Sequence, residues 1–417
     1  MKHLKRHIVV ATLVVIAAAL LAPTAGGAER MWIGFQDDRA FRWLPDRLSW
    51  LDRASQANAS ILRTTLWWSE IAPTKPTEPG NHNDPAYQWD NVDTFVQNAS
   101  ARNLRVLMTV LGTPAWANDG KSFAYAPRRA NMFRQFMKAL ATRYSGEAGR
   151  PEVRHFTIGN EFNTARFLMP QFKDNGRKSV APAIYVNKFV LPGLSGLKAG
   201  NSRAKVAIGV TSPRGRKKNR DKGGGQHFPA EFMQGVAEAC DGRCKGVAFA
   251  HHPYTVGAKR KGPNAQFRYP AVAFNNLTQF NDDLKLWFDL EHSPRIWITE
   301  YGFFSNPPNT SPLGIPLARQ ARFLQQAVKK AKKLDYVDMF IWFILLDDRG
   351  APNPVVWEAS GGLYNTSDEV KPAYAAYQNI AATVTRPDSE VRPPKVAKPG
   401  KTAKAPKQRG SKRRGRK

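Results

Sequence analysis

Three observations in the sequence predict the fold class. Eight short apolar runs read as strands between residues 31 and 344. A stretch of helical periodicity follows each of them. Two of the runs, the fourth and the seventh, end in a glutamate. Regular alternation of strand and helix predicts an α/β fold closed as a (β/α)8 TIM barrel with all strands parallel, and chemistry in such a barrel sits at the carboxyl ends of the strands.

Taken in order, Met31–Phe35 is the first strand and Leu44–Ala57 the helix after it. Ser60–Leu66 is the second strand; a Pro/Gly/Asn-rich loop to about Trp89 precedes a helix over Val92–Ala101. Arg105–Leu111 is the third strand, ending in Gly112-Thr113-Pro114-Ala115-Trp116. Met132, Phe133, Phe136, Met137, Leu140 and Tyr144 recur at helical spacing, which predicts a helix over Arg128–Tyr144. His155–Ile158 is the fourth strand, where Gly159 ends the run and permits close backbone approach. Ala181–Leu197 is helical, Ala204–Val210 is the fifth strand and Phe228–Glu238 the next helix. Gly246–Ala250 is the sixth strand, ending in His251-His252-Pro253-Tyr254, and Asn276–Glu291 is helical. The seventh strand begins at Ile296 and carries Glu300; Leu317–Leu334 is a long helix; Val337–Ile344 is the eighth strand, with Trp342; Lys371–Ala382 closes as a helix.

The two ends of the chain are expected to lie outside this fold. Lys2, Lys5 and Arg6 precede an apolar run over Ile8–Ala22, too short to span a bilayer comfortably, and Gly26-Gly27-Ala28 supplies small residues for cleavage. Residues 1–28 therefore read as a secretory signal peptide, residues 29–385 as the barrel, and the mature protein as secreted or extracytoplasmic with no transmembrane span. Beyond Thr385 the apolar periodicity stops. Residues 386–417 carry net +11 of the chain's formal +30, with nothing to bury, and are expected to be a disordered basic tail that contacts an anionic envelope or matrix polymer. The tail lacks interleaved aromatics, which argues against specific nucleic-acid binding. Cys240 and Cys244, four residues apart in an exported chain, read as a disulfide closing a tight loop; with no further ligands nearby they do not suggest a metal. No cofactor is implied.

A carboxylate beside a buried strand costs free energy unless it is paired or used. Glu161 and Glu300 are 139 residues apart, so the fold alone can bring them together. Two carboxyl groups so placed are the minimum equipment for cleaving a glycosidic bond: one protonates the leaving oxygen, the other, ionised, attacks or stabilises the oxocarbenium-like centre. The competing assignments are structural ion pairs at each position, a catalytically silent carbohydrate-binding barrel at the cell surface, and an interaction protein docking through its tail. The intact pair of glutamates favours catalysis over the silent barrel, and export together with a tail without interleaved aromatics argues against docking to nucleic acid.

With these residues in view, the chain from Met31 to Ala382 resembles the clan A retaining glycoside hydrolases, most closely family 39 and its relatives. That clan pairs an Asn-Glu acid/base after strand four with a nucleophilic Glu on strand seven, which Asn160-Glu161 and Glu300 match. The resemblance implies that Arg63 steadies the nucleophile, that His252 and Tyr254 form the His-x-Tyr pattern after strand six, and that Trp116 belongs to a Thr-Pro-x-Trp motif. It also implies that Trp342 is a sugar platform. Gly362-Leu363-Tyr364 and Lys371-Pro372-Ala373-Tyr374 look like the clan's final turn and helix. Strand three lacks the histidine of some clan A cellulases. In this reading Asn160 bonds a sugar 2-hydroxyl, Arg63 and Tyr254 donate to Glu300, and Trp116 and Trp342 stack on a pyranose face. His251 and His252 are balanced between packing and a substrate role, Asp37 and Asp38 are weak pocket candidates, and Asp347 and Asp348 read as surface or loop-capping groups.

The loops after strands four, five and six are basic. They carry Arg166, Lys173, Arg177 and Lys178; Arg214, Arg216, Lys217, Lys218, Arg220 and Lys222; and Lys259, Arg260, Lys261 and Arg268. An anionic polysaccharide is the substrate class this suggests.

Overall fold

In the computed structural model the described residues are 30–216, 218–255, 257, 261–307, 313–348 and 360–387. The proposed signal peptide, the tail from residue 388, and Lys217, Lys259 and Arg260 lie outside them. Eight parallel strands close a barrel: β1 (Trp32–Gln36), β2 (Ile61–Trp67), β3 (Arg105–Leu111), β4 (His155–Ile158), β5 (Lys205–Thr211), β6 (Ala248–His251), β7 (Ile296–Tyr301) and β8 (Val337–Phe343). Each strand pairs with its sequence neighbours, and β8 pairs with β1 to close the ring, Trp32 opposite Met339 and Gln36 opposite Phe343. Among the described residues no helix is long and apolar enough to cross a membrane.

Side chains alternate between the two faces of each strand. Trp32, Ile61, Leu107, Ala207, Ala250, Trp297, Met339 and Ile341 fill the inside of the barrel. His155 lies among them, its ring 5.3 Å from that of Trp32 and 5.6 Å from that of Trp297; burial pushes it down to about 3, so it packs as a neutral ring. The alternate positions, such as Leu62, Val106, Ile298 and Phe340, face the helices.

The helices fall where periodicity places them, with shifted ends. The first is Arg47–Gln56, after Pro45, and the last Pro372–Ala381. The helix expected over Ala181–Leu197 runs through Ala181–Tyr185, a π turn at Val186–Val190 and Leu191–Gly200. The helix expected to reach Glu291 stops at Trp287, because Asp289 turns left-handed with φ 50°.

Two acidic residues differ from their expected settings. Asp37 does not line the pocket: it is buried, and it accepts N–H bonds from Ala40 (3.0 Å), Leu345 (3.2 Å) and Leu346 (2.9 Å), tying β1 to the chain after β8. Burial raises its carboxyl to about 7 against the pull of those donors. Asp347 is not at the surface: it is fully buried, 2.5 Å from Lys371 Nζ, and accepts the Gly362 N–H. Asp348 meets Arg39 at 3.2 Å. Cys240 and Cys244 are disulfide-bonded, with Cα atoms 5.6 Å apart.

Candidate active site

Local backbone chemistry aims the two glutamates. After β4 the chain turns sharply: Gly159 has φ 87°, and a Cβ there would sit 2.9 Å from the Phe162 ring. Glu161 itself has φ 46°, a left-handed conformation sparsely used by residues with a Cβ and concentrated at functional sites. On β7 the pairing with β8 slips by one residue between Ile298 and Tyr301. Such a bulge re-aims side chains. Here it sends Tyr301 out against Trp342 and turns Glu300 into the barrel mouth, beside Arg63.

Arg63 organises the cluster. It is buried on β2, on the inward parity set by Ile61, and each nitrogen has a separate acceptor. Nε donates to Thr109 Oγ1 (2.8 Å), Nη1 to Glu300 Oε1 (2.6 Å) and Nη2 to Asn160 Oδ1 (2.7 Å). A guanidinium only donates, so the Asn160 oxygen must face it and the Asn160 NH2 is turned away, available to a ligand. Tyr254 Oη donates to Glu300 Oε2 at 3.1 Å. His252 Nδ1 lies 3.0 Å from Glu161 Oε1 and 3.5 Å from Glu300 Oε2, while Nε2 lies 3.0 Å from Thr299 Oγ1.

One oxygen of Glu161, one of Glu300 and a ring nitrogen of His252 lie within 4.8 Å of one another. Burial alone would raise Glu300, but the charges of His252 and Arg63 and the bonds from Arg63 and Tyr254 outweigh it and hold this carboxyl below the ordinary glutamate range. The same three side chains have donor atoms for a metal ion. Arg63, at 2.6 Å from Glu300 Oε1, already supplies positive charge there.

The structure therefore brings together Glu161, Glu300, Asn160, Arg63, His252 and Tyr254. His251 is packed, bonded to Thr211 and to the Val272 carbonyl and pushed to about 3 by burial. Trp116 is half-buried, its indole N–H bonded to the Ala72 carbonyl (2.8 Å) and its ring edge-on to Trp68; no bond joins it to the cluster. Trp342 is not a platform. It has the outward parity of Phe340, is fully buried, packs on Tyr301 and donates its N–H to Gly361 (3.2 Å).

The half-buried aromatics with inward parity are Phe343, two residues past Ile341, and Trp67, two pairs beyond Arg63. Trp67 meets the exposed Phe123 edge-on at 5.0 Å, and a Cβ on Gly112 would lie 2.5 Å from its ring. Counting residues from the apolar barrel interior would have found both.

The fold is shared with solved glycoside hydrolase barrels. A family 39 glycoside hydrolase from Bacteroides cellulosilyticus WH2 matches at TM-score 0.58 and 18% identity over 85% of this chain and 64% of that one. A GH5_18 protein from Streptomyces cattleya, solved with GlcNAc, matches at TM-score 0.59 and 16% identity over 86% and 83%. The exo-β-1,4-mannosidase Op5Man5 from Opitutaceae bacterium strain TAV5 matches at TM-score 0.56 and 14% identity over 86% and 60%. The chain thus spans less than two thirds of the length of the first and third of these. These are barrels of the kind the sequence resemblance pointed to. No curated protein matches the chain by sequence. Residues 86–390 match the family of unknown function DUF5722, and the chain belongs to that family.

Proposed function

We propose that this protein is an exported retaining glycoside hydrolase that cleaves β-glycosidic bonds of a polysaccharide or oligosaccharide. The observation that carries the reading is the close approach of the Glu161 and Glu300 carboxyl groups, one oxygen of each lying within 4.8 Å of the other. Retaining enzymes hold the pair about 5–5.5 Å apart, whereas inverting ones need about 6.5–9.5 Å for a water between them.

The roles follow from the surroundings. Glu300, held ionised, attacks the anomeric carbon as the glycosidic C–O bond breaks, and the proton carried by Glu161 goes to the leaving oxygen. Water then attacks the same carbon and gives a proton to Glu161, and the bond to Glu300 breaks. Asn160, oriented by Arg63, presents its NH2 toward a sugar hydroxyl. The mannosidase among the similar barrels is consistent with a β-linked substrate. The disulfide fits an oxidising compartment.

A panel of aryl β-glycosides tests the proposal. Turnover is expected on at least one member. Glu300→Ala should abolish it, with azide restoring activity through a glycosyl azide of inverted configuration. Glu161→Ala should slow substrates with poor leaving groups most. Azide rescue confined to Glu161→Ala would reverse the assignments.

A further inference from the structure

We infer that the leaving-group side of the groove is built to hold an anionic sugar. This rests on the hydrolase reading and deepens it. In that reading Glu161 protonates the leaving oxygen, so the departing chain passes over the loops next to β4 and β5. Those loops are locked into one body. Thr164, bonded to the Glu161 carbonyl at 2.8 Å, bridges antiparallel to Gln226, and Gln226 bridges antiparallel to Arg216 through two 2.8 Å bonds. Two strand spacings, about 10 Å, therefore separate Arg216 from the segment that carries Glu161.

The short hairpin Phe172–Lys173 and Lys178–Ser179 packs on this ribbon. His227, held neutral at about 4 by burial and by Arg220, stacks on Phe172 and bonds both Gln171 and Ser179. Arg220 covers the other part of Phe172, 4.3 Å from its ring centroid. A Cβ on Gly176 at the hairpin tip would lie 2.8 Å from Arg220 Cβ, so the contact is close.

Among the outward charges of this body are Arg166, Arg177, Lys178, Arg216, Lys218 and Lys222, all exposed, with Asp174 and Asp221 the acids beside them. Among the described residues none of the six has a carboxylate partner, whereas Arg102, Arg143 and Arg295 elsewhere in the barrel each meet an aspartate. Unpaired positive charge on a braced scaffold beside the proton donor attracts anionic sugars, and salt screens that attraction. The opposite side of the mouth offers Gln36, Thr65, Trp67 and Phe343, with the acids Asp38 and Glu70 beside them.

Transfer from the glycosyl-enzyme tests this, because an acceptor must occupy the leaving-group side. With an aryl glycoside as donor, the transfer-to-hydrolysis ratio is measured for methyl glucoside, methyl glucuronide and methyl glucoside 6-sulfate at low and high NaCl. The expected result is about a tenfold preference for one or both anionic acceptors at low salt, lost at high salt; the uronate and sulfate arms tell which anion is read. The triple variant Arg216→Gln, Lys218→Gln, Lys222→Gln, checked for an unchanged thermal midpoint, should lower that preference several-fold. Equal transfer to neutral and anionic acceptors, or a preference indifferent to salt, would overturn the inference while normal aryl glycoside turnover left the hydrolase reading standing. Absence of any aryl glycoside turnover would instead sink the reading beneath it.

Discussion

Arg63 spends its three nitrogens on Thr109, Glu300 and Asn160, so it fixes the proposed nucleophile and the neighbouring amide at once. A lysine carries one point charge and cannot hold that fork. Arg63→Lys is therefore expected to lower kcat by about 10²-fold, the usual consequence of a small misplacement of reacting groups, in steady-state assays on the best aryl glycoside. Glu300 gives a pH prediction. Its folded pKa lies below the unfolded value of about 4.3, so its contribution to stability is complete above that value and is lost as pH falls through the lower folded one. The acid limb of kcat/KM should likewise lie below the ordinary glutamate range, and Tyr254→Phe, which removes one donor, should move it to higher pH. An acid limb unmoved in Tyr254→Phe would mean that the 3.1 Å bond does not act on the reacting carboxylate. The glutamates, His252 and Tyr254 were legible because each stands at or just past a strand end, and Arg63 because it lies on the second strand, in the order the resemblance implies. The resemblance points to Trp342, but strand parity turns it outward and puts Phe343 at the mouth instead.

At the scale of elements, the barrel closes where β1 approaches β2 without side-chain bulk. A Cβ on Gly34 would stand 1.6 Å from the Ile61 carbonyl oxygen, a backbone atom that cannot swing aside. Gly34→Ala is expected to cost at least about 1–3 kcal/mol, read as a lowered denaturant midpoint. A midpoint equal to wild type would show that the two strands can separate. The strands were read almost to the residue because their apolar runs are short and most are bounded by polar, glycine or proline residues. Helix ends were less legible. The left-handed Asp289 and the π turn at Val186–Val190 answer to tertiary packing rather than to periodicity. The body formed by the loops after β4 and β5 left no local signal: Thr164, Gln226 and Arg216 pair across long stretches of sequence, and a hairpin whose strands are two residues long has no period to detect.

At the scale of the molecule, the compact unit ends at Pro387. Arg30 bridges Thr385, and Arg386 donates to the carbonyls of Ala59 and Asn103, so the chain is fastened to the barrel floor up to that point. Truncation after Pro387 should leave kcat/KM on aryl glycosides unchanged and lower salt-sensitive retention on an anionic cell-wall fraction. Equal retention of both forms at low salt would remove the tail from any attachment role. Truncation before Thr385 should lower the thermal midpoint as well. The expectations on activity depend on the chemistry assigned to the pair of glutamates at the mouth. That assignment is tested most directly by proton NMR of the first sugar released from a β-glycoside, before mutarotation. The spacing of Glu161 and Glu300 predicts that the β-anomer appears first; initial formation of the α-anomer would contradict double displacement through Glu300.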